Sequence, residues 1–259
     1  MSLVMGIVNV TPDSFSDGGL YLEKNKAIAH ARQLINEGAD VIDIGGESTR
    51  PGATPITLKE EASRVLPVIS ALAGEARISI DTRHEEIARL AVQEGATIIN
   101  DVSASLSQVA AELQVGWVAM HMQGTPQTMQ NKPEYEDVVG EVCKYLTDKA
   151  INAKNEGVPE IWIDPGIGFG KTTEHNLALI ANIEKIVETG WPVLLGASRK
   201  RFLGEIASMR NNSEDNAITD DRLEGSIAVA VLACQKGVEM IRVHDVAATV
   251  QAVKVTKVC

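Results

Sequence analysis

The sequence predicts an α/β fold, a single (β/α)8 TIM barrel formed by residues 1–259. Three observations support this fold class. Eight short runs of β-branched and other apolar residues recur along the chain, segments with helical spacing separate them, and polar residues follow each run. A barrel of about 250 residues accounts for the whole length as one domain, since no Gly/Ser-rich or Pro-rich linker divides the chain.

The strands are predicted from the apolar runs. Their hydrophobicity is nearly continuous, which is typical of parallel strands buried on both faces and not of a one-sided antiparallel sheet. The runs are residues 4–10, 40–45, 77–82, 97–102, 117–122, 161–165, 192–198 and 240–245.

The helices are predicted between these runs. One apolar face combines Leu177 with Ile180, Ile183 and Val187. Glycines a few residues before the next strand are typical helix stops and predict the short connections of a barrel. They are Gly38, Gly95, Gly157, Gly190 and Gly237.

Polar residues stand at the end of every predicted strand. In a barrel these ends meet at one mouth, whereas in a doubly wound open sheet, the structural alternative, they would be spread along an edge. They are Asn9, Glu47 to Arg50, Asp81, Asn100, Asp101, His121, Asp164, Ser198 to Lys200, Arg242 and His244.

Long polar loops follow strands 1, 2 and 5, at residues 11–23, 46–57 and 123–133. Loops of this length are uncommon unless they bind or cover a ligand. The acidic stretch 208–221 is predicted to be a solvated insertion beside the seventh helix.

Composition narrows the classes of function. The net charge of −11, from 24 Lys and Arg against 35 Asp and Glu, argues against a nucleic-acid partner. The chain has 3 cysteines without C-x-x-C spacing, which favours a reducing compartment and no cysteine-bound metal. No apolar run approaches the roughly 20 residues that span a bilayer. We therefore expect a cytoplasmic protein that does not bind membranes.

The segment 166–172, Gly-Ile-Gly-Phe-Gly-Lys-Thr, resembles a nucleotide-binding loop only superficially. It lacks one residue of the P-loop spacing and does not fit the G-x-G-x-x-G pattern. Two interpretations remain equally open: a turn whose backbone approaches a ligand below Phe169, or a plain βα turn.

Asp81, Asn100 and Asp164 each end an apolar strand. A single one of them is expected to cap a helix or form a turn. Three that converge fit an aminopyrimidine-like heterocycle, whose N–H groups donate to carboxylates, and Lys200 could donate to its carbonyl.

Arg242 and His244 lie two residues apart and point to the same side of strand eight. Such a pair could be purely structural, but loops seven and eight are the usual phosphate site of barrels. Asn9 could hold Mg²⁺ beside a diphosphate, because Mg²⁺ takes few protein ligands there. Ser198 has only cations beside it in sequence, so a covalent mechanism has weak support.

The chain resembles the dihydropteroate synthase family along its whole length. The resemblance is carried by NVTPDSFSDGG (9–19), DIGGESTRPGA (43–53), SIDT (79–82), INDVSA (99–104), MHMQGTPQTMQ (120–130), IDPGIGFGK (163–171), ASRKRFLG (197–204) and RVHDV (242–246). It implies a cytoplasmic homodimer that joins p-aminobenzoate to 6-hydroxymethyl-7,8-dihydropterin diphosphate and releases diphosphate.

The resemblance also implies roles for individual residues, with Asp13, Asp81, Lys200, Arg242 and His244 as the catalytic set. Pterin would be bound by Asp81, Asn100, Asp164, Lys200 and Arg242. Diphosphate would be bound by Asn9, Thr49, Arg242 and His244, with Mg²⁺ on Asn9. The p-aminobenzoate would contact Phe15, Ser16, Thr49, Arg50, Pro51, Phe169, Ser198 and Lys200.

The implied reaction is a dissociative displacement, in which Mg²⁺, Arg242 and His244 stabilise the departing diphosphate. Sulfonamides, as mimics of p-aminobenzoate, would compete for its site. Two alternatives use the same pterin pocket: a pterin-dependent methyltransferase domain and a non-catalytic pterin-binding paralogue. The loops of the first two strands and the donors of strand eight favour the synthase over both.

Overall fold

A computed structural model of the chain describes residues 2–11, 19–49, 53–125, 127–209 and 222–256, with the backbone alone for residues 19–23 and 209. The eight predicted strands are present. They are β1 Leu3–Asn9, β2 Val41–Gly45, β3 Arg77–Asp81, β4 Ile98–Asp101, β5 Gly116–Met120, β6 Ile161–Asp164, β7 Leu194–Leu195 and β8 Met240–Val243.

Every strand pair is parallel, and the sheet order is β6-β5-β4-β3-β2-β1-β8-β7. A bridge between Ile163 and Val193 joins the two ends of this order, and the N–H of Ile163 donates to the carbonyl of Pro192 (2.9 Å). The sheet therefore closes into the predicted barrel, and the open-sheet alternative is wrong.

Helices follow the strands on the outside of the barrel. They are α1 Gly19–Asn36, α2 Leu58–Leu72, α3 Glu85–Gln93, α4 Ser107–Leu113, α5 Val138–Glu156, α6 Thr173–Ala181, α7 Ile183–Val187, α8 Arg201–Met209, α9 Leu223–Gln235 and α10 Val246–Val255. In the described part of the chain, no helix is both long and apolar enough to cross a membrane.

Glycines end several helices as predicted. Gly38, Gly95, Gly157, Gly190 and Gly237 all have positive φ, between 83° and 117°. Other residues rarely adopt this left-handed conformation, so the glycines turn the chain back towards the next strand.

The core has two parts. The larger part lies between the strands and the surrounding helices, and the smaller one fills the barrel interior. Inside the barrel, seven buried side chains form a packed apolar layer: Met5, Val41, Ile98, Val118, Trp162, Leu194 and Met240. This layer fills the barrel on the amino-terminal side of the strand ends that carry the polar residues, as is typical of the fold.

Some predicted boundaries differ from the structure. The helix predicted over 177–187 is divided at Asn182, whose Nδ2 donates to the carbonyl of Ala178 (2.9 Å). Leu177 is 43% exposed, so its placement on an apolar helix face with the buried Ile180 and Ile183 is wrong.

The predicted loop 46–57 agrees with the structure, whereas the loops after β1 and β5 differ in length from the prediction. Helix α1 begins at Gly19, so part of the stretch 11–23 is helical. Residues 46–57 separate β2 from α2, and residues 121–137 separate β5 from α5. Strand β7 is only 2 residues long, because Pro192 lacks an N–H and the chain turns away from Gly196 onwards.

Candidate functional site

Register along the strands places the candidate residues above the apolar layer. Side chains two residues apart in a strand point to the same side. The inward-facing Val41, Ile98, Trp162 and Met240 are thus followed by inward-facing polar residues at the carboxyl ends of the strands. These polar residues are Asp43, Asn100, Asp164 and Arg242.

Arg242 is held between two carboxylates. Its Nε donates to Asp43 Oδ2 (2.6 Å) and its Nη2 donates to Asp81 Oδ2 (2.6 Å). Asp43 is fully buried, and the Arg242 side chain is 17% exposed. Both pairs link residues far apart in sequence, because the closed barrel brings β2, β3 and β8 together.

Burial and charge oppose each other in this cluster. Burial raises the pKa of Asp81 to about 7, although the Arg242 guanidinium opposes the rise. Burial would lower the pKa of Arg242, but Asp43 and Asp81 outweigh it and raise that pKa. The guanidinium therefore stays charged, while Asp81 can take up a proton near neutral pH.

Asn100 and Asp164 complete the layer of inward-facing polar residues above the apolar layer. Asn100 Nδ2 donates to Asp43 Oδ2 (3.1 Å), and Asp164 Oδ1 accepts the N–H of Gly166 (2.7 Å). Burial raises the pKa of Asp164, and the Gly166 N–H and the Lys200 ammonium oppose that rise. A Cβ on Gly196 would lie 3.8 Å from Arg242 Cδ and 3.9 Å from Asp164 Oδ2, so glycine keeps this side of the cavity open.

The Gly-rich turn after β6 is shaped by its glycines. Gly166, Gly168 and Gly170 all have positive φ, and a Cβ on Gly170 would lie 2.5 Å from the carbonyl oxygen of Gln123. The turn places the Phe169 ring 4.1 Å from Lys200 Nζ, at cation–π distance. Among the predicted p-aminobenzoate residues, these two are thus neighbours.

Ser198 and His244 form a second pair at the mouth. Ser198 Oγ accepts the backbone N–H of His244 (3.2 Å) and lies 3.1 Å from its Nδ1. Burial lowers the pKa of His244 to about 4, and Arg242 adds to the lowering. The imidazole is consequently neutral at pH 7 and has one N–H to donate.

The turn between β7 and α8 is tied to the turn after β8. Arg199 has a φ of 56° and donates to Asp245 from Nε (3.0 Å) and Nη2 (2.5 Å). Its N–H donates to Ser226 Oγ (2.9 Å), and its carbonyl accepts from Arg222. These contacts hold an unfavourable backbone conformation between the functional candidates Ser198 and Lys200.

Asn9 ends β1 at the exposed rim, beside Asp81. A Cβ on Gly45 would lie 3.8 Å from Asn9 Oδ1 and 3.7 Å from Asp81 Oδ2, so glycine leaves room between these oxygens. Within the described residues no cluster of three or more His, Cys, Asp or Glu side chains could hold a metal. The single oxygen of Asn9 therefore fits only a Mg²⁺ ion that takes most of its ligands from a phosphate and water.

The loop after β2 is anchored to the barrel by Glu47. This carboxylate accepts two hydrogen bonds from Arg83 (3.0 and 3.2 Å) and one from the N–H of Ile56 (3.4 Å). Burial would raise the pKa of Glu47, but the hydrogen bonds and charge of Arg83, together with the Ile56 N–H and His84, outweigh it and lower that pKa. Thr49 is half-buried in the same loop.

Some predicted residues lie outside the described part of the chain. They are Asp13, Phe15, Ser16, Arg50 and Pro51, together with residues 210–221 of the acidic stretch. Their roles remain predictions.

Sequence reasoning missed Asp43 and Lys171. Asp43 is a charged residue inside an apolar run, and its position two residues after Val41 was the signal that it faces the barrel interior. Lys171 is buried beneath the Gly-rich turn, where its Nζ donates to the carbonyls of Gly166 and Phe169 (3.1 and 3.0 Å). Nothing in its local sequence distinguishes it from a surface lysine.

Comparison with known proteins gives a consistent result. A family model described as "Pterin binding enzyme" matches residues 5–244. Dihydropteroate synthase of Escherichia coli strain K12 is 44% identical over 263 residues, which cover 98% of this chain and 90% of that protein.

Two solved structures of Xanthomonas albilineans dihydropteroate synthase are also similar. The one with 4-aminobenzoic acid has a TM-score of 0.88 and 46% identity, and the match covers 99% of this chain and 92% of that one. The complex with 7,8-dihydropteroate has a TM-score of 0.83 and 42% identity, covering 99% and 93%. The chain belongs to the dihydropteroate synthase family of pterin-binding enzymes.

Proposed function

We propose that this protein joins p-aminobenzoate to 6-hydroxymethyl-7,8-dihydropterin diphosphate, giving 7,8-dihydropteroate and diphosphate. One observation carries the proposal. Polar side chains from strands β2, β3, β4, β6 and β8 meet on a closed apolar floor inside one barrel mouth. The relatives named above are dihydropteroate synthases, and one binds the product of this reaction.

The buried polar residues above the apolar layer suit a pterin. Asp81 and Asp164 would accept hydrogen bonds from its ring N–H and amino groups, and Asn100 and Lys200 would complete the set. Arg242, fixed by two carboxylates, would lie against the ring face, where a planar guanidinium stacks well.

The rim suits the diphosphate. Arg242 and His244 point to the same side of β8, and Thr49 lies on the loop after β2. Asn9 would hold Mg²⁺ together with diphosphate oxygens, and the ion would supply positive charge to the leaving group. Each donor aimed at that developing charge is worth about 3 to 4 kcal/mol in a water-excluded site.

The reaction breaks the C–O bond to diphosphate and forms a C–N bond to the aniline nitrogen of p-aminobenzoate. The electron-rich reduced pterin stabilises positive charge on the reacting methylene, so departure of diphosphate precedes attack. Asp81 and Asp164 would stabilise that charge. The aniline nitrogen needs no prior deprotonation, and after the new bond has formed its proton passes to the released diphosphate, a base that the reaction itself supplies.

The p-aminobenzoate would lie between the pterin and the outer loops. Phe169 and Lys200, which are neighbours, would form one wall with Ser198. Asp13, Phe15, Ser16, Thr49, Arg50 and Pro51 would close over it and exclude water, which competes for the cation.

The test is an activity assay with purified protein, the pterin diphosphate, p-aminobenzoate and Mg²⁺, with dihydropteroate detected by chromatography. We expect product with wild-type protein. In Asp164→Asn, an amide donor replaces a carboxylate acceptor, so calorimetry should show at least tenfold weaker pterin binding. Asp148→Asn, at an exposed position on α5, is the matched control. Pterin binding without product at any Mg²⁺ concentration would indicate the non-catalytic paralogue.

We also infer that the protein acts as a homodimer in the cytoplasm. Family membership supports the homodimer, and light scattering would test it. Cys143 and Cys234 are free thiols, which fits a reducing compartment.

A further inference from the structure

Lys171 is a buried cation with no part in the proposed chemistry. Its side chain lies beneath the Gly-rich turn, and the residue is 3% exposed. Four acceptors surround Nζ: His121 Nδ1 (2.9 Å), Phe169 O (3.0 Å), Gly166 O (3.1 Å) and His121 O (3.3 Å). In its charged form Lys171 has three N–H donors and no acceptor, so in that form His121 accepts at Nδ1.

The same turn carries two functional candidates. The Gly166 peptide unit gives its carbonyl to Lys171, while the Gly166 N–H donates to Asp164 Oδ1 (2.7 Å). The Phe169 carbonyl also accepts from Lys171, while its ring lies 4.1 Å from Lys200 Nζ. Lys171 is thus linked through the Gly166 peptide to Asp164, a predicted pterin ligand. It is also linked through the Phe169 carbonyl to the residue whose ring forms part of the predicted p-aminobenzoate site.

The cost of burying this charge indicates that its contacts are specific. Burial lowers the pKa of Lys171 to about 7, and the carboxylate of Asp164 opposes the lowering. A buried charge is retained only when hydrogen bonds replace its water shell. A methionine would fill the same space without that cost, so packing alone does not explain a lysine here.

We propose that Lys171 is a positioning residue for both substrates: its ammonium gathers the carbonyls of the Gly-rich turn and thereby sets the Asp164 carboxylate and the Phe169 ring. The inference rests on the proposed function. It differs from a role in fold stability alone, because it requires that substrate binding change in molecules that remain folded.

The variants are Lys171→Met, which removes every donor at similar volume, and Lys171→Gln, which keeps one shorter amide donor. The control is Lys149→Met, since half-buried Lys149 also donates to a backbone carbonyl, that of Ala104 (2.6 Å), which lies on a different loop, the one after β4. Affinity for the pterin diphosphate is measured by calorimetry, and KM for p-aminobenzoate by assay, at a temperature where circular dichroism shows folded protein.

We expect Lys171→Met to bind the pterin diphosphate at least tenfold more weakly and to raise KM for p-aminobenzoate, with part of both losses recovered in Lys171→Gln. Lys149→Met should match wild type. Should Lys171→Met not fold, Lys171→Gln decides alone, with weaker binding than wild type expected. Wild-type affinity and KM in folded Lys171→Met, or in Lys171→Gln where Lys171→Met does not fold, would overturn the inference. A wild-type protein that binds no pterin diphosphate would instead overturn the proposed function.

Discussion

His244 shows how a single residue is prepared for its role by its neighbours. Burial lowers its pKa to about 4, so it is neutral at pH 7. Ser198 Oγ already accepts the backbone N–H of His244, which leaves the hydroxyl hydrogen free to donate to Nδ1 (3.1 Å). With the Ser198 hydroxyl as the donor to Nδ1, the ring proton lies on Nε2, from which it could donate to a diphosphate.

We predict that His244→Ala lowers kcat about 100- to 1000-fold and changes the affinity for pterin diphosphate less than threefold. A neutral donor gains most when negative charge develops on the leaving group, so its loss affects turnover more than binding. Steady-state kinetics and calorimetry would measure the two effects. His30→Ala, at an exposed position on α1, should change neither. Unchanged kcat in His244→Ala would remove this residue from the mechanism.

The sequence predicted the residues at strand ends better than those within strands. Asp81, Asn100 and Asp164 were found because a polar residue after an apolar run is conspicuous. Asp43 was missed because it lies within such a run, and only the strand register shows that it faces inwards. Lys171 was missed for another reason: its partner His121 is 50 positions earlier in the chain, and no local pattern encodes that distance.

Among the elements, the Gly-rich turn after β6 was left with two interpretations by the sequence, a ligand-binding turn or a plain βα turn. Its glycines are required by the fold, since a Cβ on Gly166 would overlap the carbonyl oxygen of His121 at the end of β5. At the same time the turn orients Asp164 through the Gly166 N–H. The βα-turn and ligand-site interpretations are therefore compatible, because the geometry that the fold requires also sets the candidate site.

We predict that Gly166→Ala destabilises the protein by about 3 kcal/mol. The left-handed φ of 65° costs roughly 1 kcal/mol for alanine, and the overlap with a backbone atom adds about 2 kcal/mol. The free energy of unfolding would be measured by urea denaturation.

Gly157→Ala provides the comparison for this element. Gly157 ends α5 with a φ of 95°, and a Cβ there would have no atom within 4 Å. Its substitution should therefore cost only about 1 kcal/mol, from backbone strain alone. Equal losses in the two variants would show that the close approach to His121 does not matter.

At the scale of the whole molecule, the fold class was predictable because hydrophobic period and strand count depend on local sequence. Closure of the barrel was not encoded locally. It depends on a bridge between Ile163 and Val193 beside a strand of only 2 residues. The division at Asn182 was likewise missed, because the apolar spacing continues across it from Ile180 to Ile183.

The barrel also determines how the whole protein responds to acid, through histidines that it buries in the neutral form. Burial, with a smaller contribution from Lys171, lowers the pKa of His121 to about 3. Its ring packs edge-on against Tyr145 at 5.0 Å. In the unfolded chain His121 takes up a proton near pH 6.5, whereas the folded protein resists protonation until about pH 3. Stability that His121 contributes at pH 7 is therefore lost as the pH falls from 6.5 towards 3.

We predict that His121→Gln loses less stability than wild type on acidification, by about 2 kcal/mol between pH 6.5 and pH 5, at about 1.4 kcal/mol per pH unit. Glutamine keeps an acceptor for Lys171 and removes the titrating ring. Burial raises the pKa of Asp81, so protonation of Asp81 stabilises the folded protein as the pH falls. This contribution is present in wild type and in His121→Gln, so it cancels when their free energies of unfolding are compared. Urea denaturation at each pH would measure the two curves, with exposed His30→Gln expected to follow wild type. Parallel curves for wild type and His121→Gln would mean that His121 is protonated in the folded protein as readily as in the unfolded chain.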